Sequence, residues 1–86
     1  MKAIGTALLN LAAFIELSGD DVIDPDSAVK ALEQLGADLG MAESGEKEYL
    51  KGLMRQEIAS MPEDRSEADQ ARAEFYLNFM EQLDEP

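Results

Sequence analysis

The chain has 86 residues, enough for one hydrophobic core, and contains neither cysteine nor histidine. Disulfides and thiolate metal sites are therefore excluded, and the side chain that most often serves as general base near neutral pH is missing. Nineteen acidic against seven basic residues leave a net charge of −12, a balance that repels nucleic acid and anionic membranes and draws in basic proteins.

Hydrophobic residues make up 45% of the chain, so a packed core is expected rather than disorder. Ala, Leu, Glu, Met and Gln dominate the periodic stretches, whereas Val and Thr are scarce, which favours helix over strand throughout. The opening Met1-Lys2 and the apolar run to Ile15 have the outline of a signal peptide. A single lysine, the interruption at Asn10 and the lack of a small-residue cleavage site argue instead for a cytoplasmic protein without a leader. The run is also too short to cross a membrane.

The first helix is predicted at about residues 2–18, with Ile4, Leu8, Leu11 and Ile15 spaced as a core-facing stripe. Ser18-Gly19 is a stop signal, the glycine suited to a left-handed cap. Asp24 is placed as N-cap of the second helix, Pro25 as its first residue and Ile23 as the outer half of a hydrophobic staple. That helix is predicted to reach about residue 39 on Ala28, Leu32, Leu35 and Leu39. Gly36 interrupts it at a cost of about 1 kcal/mol, a sign of close approach by another helix.

A third helix is expected at about 45–60, capped by Ser44, with Leu50, Leu53, Met54, Ile58 and Met61 on its apolar face. The fourth starts after Ser66 and carries Ala68, Ala71, Phe75, Phe79 and Leu83 in one stripe, Tyr76 and Met80 beside it and Leu77 outside it. Asp84 to Pro86 read as a frayed tail. Four amphipathic helices on short connections predict an all-α fold, one domain over 1–86, arranged as an antiparallel bundle.

The chemistry-bearing patterns are weak. The aspartates 20, 21, 24 and 26 lack calcium-loop spacing, since Val22, Pro25 and Ala31 stand where ligands or glycine belong. Carboxylate pairs Glu43/Glu46 and Glu81/Asp84 have the spacing of a magnesium-dependent nucleotide pyrophosphohydrolase, yet both lie at helix ends. Ser44 and Lys47 match S-x-x-K at an exposed helix start, where capping accounts for the serine. Lys47, Lys51 and Arg55 form a basic stripe suited to pairing with acids of a neighbouring helix.

These readings predict a protein that is not an enzyme, needs no cofactor and binds another, basic protein. In size, acidity and lack of catalytic side chains the chain resembles, in general character only, the small helical immunity proteins and antitoxins that neutralise basic toxins. The contact surface expected on that reading comprises Asp20, Asp21, Asp24, Asp26, Glu57, Glu63, Asp64, Tyr76, Leu77 and Met80. The alternative is a homo-oligomeric or adaptor module that self-associates through the fourth helix. Acidity serving solubility alone accounts for the charge equally well.

Overall fold

The local signals at the helix starts act as the sequence implies. In the computed structural model, which describes residues 2–84, Asp24 accepts a hydrogen bond from the Ser27 backbone N–H at 3.1 Å, and Pro25 opens the helix behind it. The Ser66 hydroxyl accepts from the Asp69 N–H at 3.1 Å in the same manner. The third helix is capped one residue earlier than expected. Glu43 is its N-cap, and the Glu46 carboxylate reaches back to the Glu43 N–H at 3.1 Å, so Ser44 already lies inside the helix.

Four helices result: α1 (Lys2–Leu17), α2 (Pro25–Gly40), α3 (Ser44–Ser60) and α4 (Glu67–Asp84). The end of α1 differs from expectation. No described glycine has positive φ, so Gly19 supplies no left-handed cap. Instead the Ser18 N–H and hydroxyl both donate to the Phe14 carbonyl, and the chain turns as the N–H groups of Val22 and Ile23 donate to the Gly19 carbonyl. The expected tail is also shorter. Asp84 belongs to α4 and is held by Lys51 of α3, while 85–86 lie outside the described residues.

α1 and α4 each pack against the other three helices. The core gathers Leu9 and Ala12 of α1, Leu50, Leu53 and Met54 of α3, and Tyr76, Phe79 and Leu83 of α4. α2 is peripheral: none of its residues is fully buried, and Leu35 and Leu39 only lean on the core. The stripes predicted for α3 and α4 are largely the buried ones, except that Tyr76 sits at the centre of the α4 contact and Ala68 is exposed.

The α1 stripe is corrected in part: Leu8 packs against the core and Ile15 is half-buried, but the other two positions face solvent. Ile4 is 70% exposed and Leu11 58%, whereas Gly5, Leu9, Ala12 and Ala13 face inward. The reason is shape. Small residues at 5, 12 and 13 let three neighbouring helices approach the α1 backbone, which the bulky side chains at 4 and 11 could not allow. A Cβ built on Gly5 would lie 2.5 Å from the Leu53 side chain. The close approach inferred for Gly36 occurs at Gly5 instead; nothing lies within 4 Å of a Cβ at Gly36.

Candidate functional site

Because α2 covers the core without sinking into it, a cleft of about 360 Å³ remains between α2, α4 and the C-terminal end of α1. Leu32 and Leu35 of α2 face Phe75 and Phe79 of α4 across it, and the two phenyl rings stack with centroids 5.5 Å apart. Polar groups line the same cleft: Glu16 from α1, and Glu74, Asn78 and Gln82 from α4. Glu16 and Glu74 are exposed, and among the described residues neither pairs with a cation. Glu74 accepts one neutral hydrogen bond, from the Gln70 amide at 3.2 Å. The cleft thus joins an apolar aromatic floor to two carboxylates free to receive positive charge.

Phe75 belongs to the apolar stripe predicted for the fourth helix, and Glu74 is the acid beside it in sequence. Glu16 lies outside the predicted contact surface, yet it carries a signal in the sequence. It is the lone acid of α1 and stands in the last turn, where the helix dipole disfavours a carboxylate. A residue that opposes its local preference without an intrahelical partner is a candidate for function.

The expected contact residues are distributed unevenly. Asp20, Asp21, Asp24 and Asp26 are exposed on the α1–α2 connection and the start of α2. Glu63 and Asp64 are exposed on the α3–α4 connection, beside a shallow depression that also includes Arg65 and Glu67. Leu77 is 52% exposed, and Met80 is half-buried against the core. Tyr76 must be removed from any contact surface, because it is completely buried. Its place follows from packing: α4 turns Tyr76 and Ala73 inward between α1 and α3, and polar partners satisfy the hydroxyl.

Those partners form a network that spans three helices. Arg72 Nε donates to the Tyr76 hydroxyl at 3.0 Å and lies 3.5 Å from the Glu57 carboxylate of α3. A second guanidinium nitrogen donates to the Asn10 side-chain oxygen of α1. Glu57 is therefore occupied within the fold rather than presented to a partner. Lys51, the middle of the basic stripe, is likewise internal. Its stem is buried while its ammonium snorkels to Asp84 and to Glu48, the latter at 2.7 Å. The described residues contain no group of three or more carboxylates placed to share one metal ion.

Burial, reinforced by hydrogen bonding to Glu57, pushes the Tyr76 hydroxyl up to about 12 from an ordinary 10.0. Hydrogen bonding to Asp84, then to Glu48, raises Lys51 above 10.5. Both groups hold their protons more tightly when folded. Their stabilisation is complete below pH 10 and is lost as pH rises, because the unfolded chain deprotonates first. The Tyr76 displacement alone corresponds to about 3 kcal/mol. Urea unfolding at about pH 8 and about pH 11.5 should show this loss, and Tyr76→Phe should flatten the difference. An identical alkaline loss in Tyr76→Phe would show that Tyr76 ionisation plays no part.

No protein-family model, curated protein or solved structure matches this chain. No helix among the described residues is long and apolar enough to cross a membrane.

Proposed function

We propose that this protein binds and neutralises a basic partner protein, in the manner of an immunity protein or antitoxin, and that it grips a cationic side chain of that partner in the α1–α2–α4 cleft. The observation that carries this reading is the pairing of Glu16 and Glu74 with an open Leu32–Phe75 floor in a chain of net charge −12. An arginine or lysine fits both halves of such a site. Its aliphatic stem covers apolar surface, its head reaches the carboxylates, and a guanidinium gains further from the Phe75 face. The exposed aspartates at 20, 21, 24 and 26, with Glu63 and Asp64, extend the negative field and speed encounter.

Capture from the native host at low salt, followed by mass spectrometry, tests the proposal. A basic protein should be retained, and salt should release it. Its affinity for the double variant Glu16→Lys/Glu74→Lys should fall by about 100-fold, while the helical circular dichroism of the variant is unchanged. Failure to retain any basic protein would overturn the inhibitor reading. Undiminished binding by the double variant would overturn the cleft as its site.

A further inference from the structure

The outward face of α1 is exceptional in so acidic a protein. From Ala3 to Ile15 the helix carries no charged side chain. Its solvent side is an apolar strip of Ile4, Ala7, Leu11 and Phe14, and Phe14 is 54% exposed. The helix is about 24 Å long at the standard rise per residue. Lys2 and Glu16, the charges at its two ends, project toward the opposite side of the helix by the 3.6-residue period.

We propose that this strip pairs with the same strip of a second copy of the chain, the two α1 helices running antiparallel. Two independent features select that occupant. The first is charge. Copies bearing −12 each repel wherever their acidic surfaces meet, and the α1 strip is an extended face on which they can touch without opposing carboxylates. The α4 face around Leu77 lacks this property, since Glu74 and Glu81 flank it at i−3 and i+4.

The second feature is register. A two-fold axis through the level of residue 9 sets Ile4 level with Phe14 of the second copy and Ala7 level with its Leu11. Every apolar position of the strip then finds an apolar counterpart, and small Ala7 meets large Leu11. The symmetry of spacings 4, 7, 11 and 14 about one point is what an isologous contact requires. One helix face of this length falls short of the roughly 800 Å² per partner of a standard stable interface. The dimer is therefore weak and concentration-dependent.

Sedimentation equilibrium between about 10 µM and about 1 mM protein tests the proposal. The average mass should rise from the 9.4 kDa monomer toward twice that value. Added salt should strengthen the pairing, because it screens repulsion between like-charged copies. This is opposite to the salt response of a basic partner, so the two proposals fail separately. Leu11→Glu should remain monomeric with undiminished helicity. In a mixture of Ala7→Cys and Leu11→Cys chains, oxidation should favour the mixed disulfide over either homodimer. A monomer at about 1 mM in high salt, or unchanged association of Leu11→Glu, would overturn the contact. Faster self-linking of Ile4→Cys than of the mixed pair would overturn the antiparallel register.

Discussion

Tyr76→Ala is expected to remove about 3–5 kcal/mol of stability, the scale measured for deletion of a fully buried aromatic side chain. The side chain has no exposed surface and lies where α1, α3 and α4 meet. A domain of this size is stabilised by only about 4–13 kcal/mol in total, so the variant should lose about a quarter or more of its unfolding free energy. Tyr76→Phe separates packing from hydrogen bonding. It keeps the ring against Phe75, whose centroid is 5.8 Å away, and removes only the hydroxyl that Arg72 and Glu57 engage. That change should cost about 1 kcal/mol, since Arg72 and Glu57 remain close enough to satisfy one another. Urea midpoints at constant m-value would read both. A loss below about 1 kcal/mol for Tyr76→Ala would mean that the core can collapse into the space, contrary to the three-helix contact described.

Gly5→Leu should be nearly as damaging, and its cause is the reverse. A Cβ at position 5 would already stand 2.5 Å from Leu53 and 3.5 Å from Tyr49, both on α3. A whole leucine must push α1 and α3 apart across the buried Leu50–Leu53 surface, at a cost of about 3 kcal/mol. Leucine's better helix propensity returns less than 1 kcal/mol of this. The thermal midpoint should therefore drop by about 10 °C or more. Gly36→Ala and Gly52→Ala are the controls. Each adds a methyl with nothing within 4 Å, so each should raise stability by about 0.5–1 kcal/mol through helix propensity alone. If Gly5→Leu proved neutral while the controls stabilised, the tight α1–α3 approach would be disproved.

The contrast between these glycines shows how far the residue pattern reaches. All three interrupt helical stretches with the same intrinsic penalty, and their neighbours in sequence do not distinguish them. Only at Gly5 does another helix come close, and that depends on residues 44 to 48 positions away along the chain.

The candidate site divides along the same line. Acidic flanks beside an aromatic helix are visible in Glu74 and Phe75, and the exposure of Leu77 follows from its position off the stripe. The participation of Glu16 and Leu32 depends on how α1 and α2 lie against α4, which local spacing does not specify. Tyr76 and Glu57 drew attention as contact residues by residue type. The fold consumes them, together with Arg72, in a half-buried polar network around the Tyr76 hydroxyl.

What the amino-acid sequence alone determined was the number of helices, their limits to within a residue or two, and the inward faces of α3 and α4. Caps such as Asp24 and Ser66 act through neighbours three residues away, and charged residues mark the outer side of an amphipathic helix. Tertiary structure alone decided which face of α1 is buried and where a cleft stays open. α1 is apolar nearly all round, so several faces satisfy the same periodicity. The choice falls to the face whose glycine and alanines admit three neighbouring helices, and the bulkier Ile4, Leu11 and Phe14 are left outside.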